Sequence, residues 1–141
     1  MRKRKPKLRA PSPDPRFGDP LVTKFVNNLM WEGKKSLAYK VFYDAMDVIK
    51  ERSGEDPHAI WKSALNNATP QVEVRSRRIG GATFQIPTEI PGKRKTSIGM
   101  KWLIRFARLR NGKGMAEKLA AELLAASKNE GAAVKRKEDT H

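Results

Sequence analysis

Residues 72–87 read VEVRSRRIGGATFQIP and interrupt a chain that otherwise carries helical patterns. Two short strands, near 72–79 and 82–87, are predicted on either side of Gly80-Gly81. A Gly-Gly pair is a standard two-residue hairpin connection because both central positions need positive φ. So tight a turn fixes the pairing: Ile79 faces Ala82, Arg77 faces Phe84 and Arg75 faces Ile86 on one side. Arg78 meets Thr83 and Ser76 meets Gln85 on the other. Pro87 lacks a donor and suits the end or outer edge of a ribbon. A two-stranded ribbon is marginal in water, and Arg75, Arg77 and Arg78 load this one with like charge.

Helices are expected around the ribbon. Asp19 is an N-cap candidate with Pro20 at the first helical position. Leu21, Phe25 and Leu29, widened by Val22, Val26 and Met30, form an apolar face, with Gly33 as the stop. A second helix over 36–52 places Leu37, Val41, Ala45 and Val48 on one stripe, flanked by Phe42, Met46 and Ile49. Asp56-Pro57 restarts a third through Ile60, Trp61, Ala64, Leu65 and Ala68, and Thr69-Pro70 ends it. After the ribbon, 88–97 reads as a loop ending at a cap in Thr96 or Ser97. A fourth helix over 98–110 follows, with Ile98, Trp102, Leu103, Phe106 and Leu109 buried. A fifth covers 115–127, and NEGAAVKRKEDTH begins a sixth. The fold expected is mainly α: about six helices with one protruding β-hairpin and a basic N-terminal arm.

The arm is 1–18 and the remainder, 19–141, reads as a single domain. Arg2, Lys3, Arg4, Lys5, Lys7, Arg9 and Arg16 face one acid, Asp14, among four prolines. Proline favours extended backbone, so helix is not expected there. Such an arm is either a solvated tail or a segment that orders along phosphates, and the total charge favours the second. That charge is +15, from 30 Lys and Arg against 15 Asp and Glu. An excess of this size points to a polyanionic partner. No run reaches the roughly 18–20 apolar residues of a membrane span. No apolar segment follows the basic N-terminus, as a secretory signal would require.

Catalytic chemistry is hard to assemble. Cysteine is absent and there are two histidines, His58 and His141. His58 reads as exposed surface in a first helical turn. The carboxylates of ERSGED and KNE lie at helix ends, where capping explains them. GKKS at 33–36 superficially resembles the end of a phosphate-binding loop. The first glycine of that motif would fall at 28, which is Asn28, and no strand precedes it. No enzyme activity, cofactor or metal is expected.

Basic residues instead occur in separate blocks: the arm, Lys34-Lys35, the ribbon, 93–95, the fourth helix and 135–137. Between Ile90 and Ala116 there are eight basic residues and no acid. Each phosphate neutralised releases counterions, giving a log–log salt slope of about −0.7 to −0.9. Blocks spread over arm, ribbon, loops and helices suit a folded RNA better than one straight groove. Phe84 beside arginine is either a platform for an unstacked base or a contact with the body.

The runs DPLVTKFVNNLMWEGKKSLAYKVFYDAM, ALNNATPQVEVRSRRIGGATFQIP, MKWLIRFAR, MAEKLAAELLAA and GAAVKRKEDTH together resemble the bacterial-type small-subunit ribosomal protein S-seven family. The match runs from Asp19 onward in one register. The resemblance implies a six-helix body with a protruding ribbon, in the bacterial or plastid ribosome of the cytoplasm or organelle. It implies primary binding to 16S rRNA in the 3′ major domain, where such proteins nucleate assembly of the head. It further implies a place beside the exit-site tRNA and the emerging mRNA, touching head proteins and the platform protein S-eleven. Mapped by motif, rRNA contacts fall on the arm (Arg2, Lys3, Arg4, Lys5, Lys7, Arg9), Lys34, Lys35, Arg75, Arg77, Arg78, Arg94, Lys95, Arg108 and Arg110. The elements near tRNA and mRNA are Arg78, Ile79, Gly80, Gly81, Ala82, Lys135 and Arg136. Members usually continue past DTH through another helical stretch. The reading of another class is a translational repressor or nucleic-acid-binding regulator acting off the ribosome.

Overall fold

The computed structural model describes residues 12–89 and 92–140. Six helices carry the described chain: α1 Pro20–Leu29, α2 Lys35–Ser53, α3 Pro57–Ala68, α4 Gly92–Arg108, α5 Met115–Ser127 and α6 Ala132–Thr140. The α1 and α3 starts follow the same local rule. Asp19 accepts from the Leu21 N–H and Asp56 from the His58 N–H, each with proline next in the chain. Each carboxylate thereby satisfies one of the donors a helix leaves open at its first turn.

Helix α5 lies at the centre and packs on α2, α3 and α4. Its inner face is Leu119, Ala120, Leu123 and Ala126, all fully buried, so small and large residues alternate and neighbouring helices approach closely. Around it Phe25, Phe42 and Trp61 meet edge-on or tilted at centroid distances of 5.6–6.0 Å, geometries that aromatic quadrupoles favour. Helix α4 reaches α3 through a glycine. A Cβ built on Gly99 would stand 2.6 Å from Thr69 Oγ1 and 3.1 Å from Thr69 Cα.

The stripes differ from those read off the sequence. On α2 the buried residues are Ala38, Phe42, Ala45, Met46 and Ile49, while Leu37 is 55% exposed. On α4 they are Gly99, Met100, Leu103, Ile104 and Ala107, while Leu109 lies beyond the helix and is 70% exposed. Both faces are rotated by about one residue from expectation. Periodicity weights bulky apolar residues, whereas the contact line between close helices is set by Ala and Gly, with Trp102 and Phe106 at its flanks. Helix α4 also begins six residues before the expected start. Thr96, read as a cap, lies inside it and donates to the Gly92 carbonyl at 3.0 Å. Helix α1 ends at Leu29 rather than at Gly33.

Residues 12–18, read above as part of the arm, are packed on the body. Asp14 is buried, and its carboxylate accepts from the N–H groups of Arg16, Phe17 and Asp19 and from the Tyr43 hydroxyl at 2.8–3.1 Å. Burial alone would raise its pKa, but these donors together hold it below the ordinary aspartate value. Burial, then the bond to Asp14, pushes the Tyr43 hydroxyl up to about 12. Arg16 reaches back to Asp47 at 2.6 Å. His58 is not an exposed surface residue. It stacks between Phe17 (4.9 Å) and Trp61 (5.9 Å) and bonds Asp19 at 2.9 Å.

Between α3 and α4 the backbone forms β1, Val72–Ile79, and β2, Ala82–Glu89, paired antiparallel with Ile79 opposite Ala82 and Val72 opposite Glu89. Gly80 and Gly81 turn it with φ of 55° and 86°, the pair of positive values that a type I′ turn requires. Pairing extends two residues beyond the expected end at 87.

Candidate nucleic-acid interface

The turn between α1 and α2 builds the clearest site. After Met30 closes α1, Glu32 and Gly33 take positive φ (54° and 71°), and the chain reverses through bonds from Lys34 N to Trp31 O and from Lys35 N to Gly33 O. This reversal throws Trp31 outward, 66% exposed. From the end of α4, the Arg108 guanidinium lies 4.7 Å over the Trp31 ring and donates to the Leu29 carbonyl at 3.2 Å. Partial burial holds its pKa below the usual guanidinium value, yet arginine remains charged at any physiological pH. Beneath the pair is an open groove of about 590 Å³ whose walls include Leu29, Leu37, Val41 and Met115, with Lys34 on its rim.

Electrostatics sharpen this edge. Helix α2 starts at Lys35 after Lys34, with no side-chain cap and no acid in its first turn. Helix α4 starts with Gly92, Lys93, Arg94 and Lys95, again with no acid in the first turn. Helix N-termini already carry about half a positive charge, so basic side chains there add to it rather than cancel it. Lys34 meets Glu32 only at 3.6 Å, with both side chains largely exposed, a pairing worth little. Lys95 bonds Gln71 at 3.1 Å, and Arg94 also has a partner within the chain.

The expected contact residues thus separate. Lys34 and Arg108 line the same groove as Trp31, while Lys35 opens α2 with its Nζ 6.0 Å over the Tyr39 ring. Arg94 and Lys95 open α4. Arg110 stands apart: its Nε lies 2.6 Å from Oε2 of the fully buried Glu122. Lys135 and Arg136 are exposed on α6, with Arg136 5.9 Å over the Trp102 ring. Gly80, Gly81 and Ala82 form an exposed tip. For Arg75, Arg77, Arg78 and Ile79 only the backbone is described, and the arm from Arg2 to Arg9 lies outside the described residues. Sequence reasoning missed Trp31, Met115 and Glu122. The signal for Trp31 was available: an aromatic between a helix end and Glu-Gly-Lys-Lys has no helical face to bury it. Among the described residues no group of His, Cys, Asp and Glu could hold a metal, and no helix is long and apolar enough to cross a membrane.

The family described as ribosomal protein S7p/S5e matches residues 1–141. The chain is 62% identical over 144 residues to the small ribosomal subunit protein uS7 of Flavobacterium johnsoniae. It is 62% identical over the same length to that of Porphyromonas gingivalis and 58% over 141 residues to that of Cytophaga hutchinsonii. In each case all of this chain and 91% of the relative are covered. The chain belongs to the ribosomal protein S7p/S5e family.

Proposed function

We propose that this chain is a non-enzymatic constituent of the small ribosomal subunit. It binds 16S rRNA of the 3′ major domain directly, nucleates the head, and borders the exit-site tRNA and the mRNA path. The observation carrying this reading is that α2 and α4 both begin with basic residues and carry no acid in their first turns. Such placement costs a free helix about 0.3–1 kcal/mol per charge. The cost is offset only when phosphates occupy the helix starts, where backbone N–H groups and the dipole also favour an anion. The exposed Trp31–Arg108 pair adds a surface on which an unstacked base can lie. The β1–β2 ribbon protrudes toward the tRNA and mRNA path with Arg75, Arg77 and Arg78. Lys135 and Arg136 continue the basic surface on α6. Head proteins and the platform protein S-eleven are its protein neighbours.

The test neutralises Lys34, Lys35 and Lys93 together. The expected result is weaker binding to a head-domain rRNA fragment, with a log–log salt slope shallower by about 2 to 3 units. The thermal midpoint should stay unchanged or rise, because like charge leaves two helix N-termini. A lower midpoint with unchanged RNA affinity would remove the basis for the reading.

A further inference from the structure

Glu122 is a fully buried carboxylate in the middle of α5, and its two oxygens serve two different elements. Oε2 accepts from Arg110 Nε at 2.6 Å, in the segment joining α4 to α5. Oε1 accepts from the Ala133 N–H at 3.0 Å, in the first turn of α6. Ala133 and Val134 are buried behind that bond. The turn into α6 is shaped around the pair. Gly131 has φ of 90°, and a Cβ there would approach Glu122 Oε1 to 3.2 Å and Arg110 Nη2 to 3.6 Å. Arg110 is nevertheless 34% exposed. Among the described residues, its Nη1 and Nη2 have no hydrogen-bond partner. A guanidinium held by Nε keeps a planar edge of N–H donors, with the geometry that meets a phosphate two bonds at a time.

We propose that Glu122 is a positioning residue for phosphate recognition. It orients Arg110 so that the Nη edge presents outward to an RNA phosphate, and by the same carboxylate it docks α6, so that RNA binding at Arg110 and docking of α6 reinforce each other. This rests on the reading of the chain as an RNA-binding protein. Reinforcement follows from linkage: a phosphate on the Nη edge fixes the guanidinium, which fixes the carboxylate that receives the Ala133 N–H. Whatever α6 gains from bound RNA, RNA gains from docked α6. Lys135 and Arg136, two and three residues further along, are then delivered to the RNA by the same latch.

The experiment uses the full chain and a head-domain rRNA fragment. Amide hydrogen exchange of Ala133, Val134 and Lys135 is measured with and without RNA in the unsubstituted protein. Protection should increase several-fold on binding, alongside that of Lys34 and Lys35. Glu122→Gln keeps an acceptor for Ala133 but loses the charge that grips Arg110. It should weaken RNA binding about tenfold, the worth of one charge-assisted bond. In an Arg110→Gln background the same substitution should change affinity less than twofold. If Lys34 and Lys35 gain protection while Ala133 to Lys135 do not, the coupling is refuted and RNA binding stands. Equal effects of Glu122→Gln with and without Arg110 would reduce Glu122 to a packing role. Should the unsubstituted chain fail to bind the fragment, the proposed function falls instead. The exchange measurement needs no variant, so a Glu122→Gln protein that fails to fold leaves the proposal open to refutation.

Discussion

Arg108 lies 4.7 Å over the ring of Trp31 while donating to the carbonyl of Leu29, so one side chain both closes the end of α1 and stacks on the most exposed aromatic of the body. A guanidinium already held by backbone needs no ordering when a base arrives. Trp31→Ala should therefore lower RNA affinity by about 1–3 kcal/mol, the usual worth of a base–aromatic stack. Its unfolding free energy should change by less than about 0.5 kcal/mol, as expected of an exposed side chain. Fluorescence anisotropy titration and urea denaturation of the same preparation separate the two effects.

Arg108→Ala should behave differently. It removes the stack and also leaves the Leu29 carbonyl without that donor, so stability should fall by about 1–2 kcal/mol along with affinity. Arg108→Lys should recover part of the RNA affinity through charge but not the planar stack. Urea midpoints and RNA titrations of both variants check this.

The Asp14–Tyr43 pair gives the fold a pH signature at each end. The folded pKa of Asp14 is depressed, so its contribution is complete above the unfolded value near 3.9. That contribution is lost as pH falls through the folded value. Tyr43 is raised from 10.0 to about 12, so its contribution is complete below 10 and is lost as pH rises through 12. Asp14→Asn should cost about 2–4 kcal/mol at pH 7, since it removes a buried charge that accepts four bonds. It should also flatten the acid limb. Tyr43→Phe should flatten the alkaline limb instead. Urea midpoints measured across pH show both slopes.

Gly99→Ala tests the packing between α3 and α4. Alanine is favoured over glycine inside a helix by about 1 kcal/mol. Here its Cβ would meet Thr69 Oγ1 at 2.6 Å and the Thr69 backbone at 3.1 Å. The clash should win, lowering stability by about 1–3 kcal/mol. A stabilised Gly99→Ala protein in thermal or urea denaturation would show that the helices can part at little cost.

Much of this was legible before any coordinates. Asp19-Pro20 and Asp56-Pro57 marked the starts of α1 and α3 because a capping carboxylate followed by proline has few other uses. The phases of α2 and α4 were not legible. Each carries apolar residues around more than half its circumference, and tertiary contact chose the Ala and Gly line over Leu37 and Leu109. The start of α4 was missed because Thr96 and Ser97 resembled a cap, although Pro91 just before Gly92 was also a start signal. Asp14 read as one acid among prolines. Only its convergence with Tyr43, 29 residues away, makes it an anchor. In the interface the basic blocks were visible, but not which of them meet. Lys34 and Arg108 share the rim of one groove, while Arg110 is committed to a buried partner that no local pattern announces.

On the proposed reading, this basic surface takes folded small-subunit rRNA in preference to polyanions in general. Competition at physiological salt tests it most directly, with a labelled head-domain rRNA fragment bound to the full chain and duplex DNA as challenger. Duplex DNA should bind more weakly by about a hundredfold or more, as specific and non-specific complexes differ. Displacement of the fragment by duplex DNA at equal affinity would contradict it.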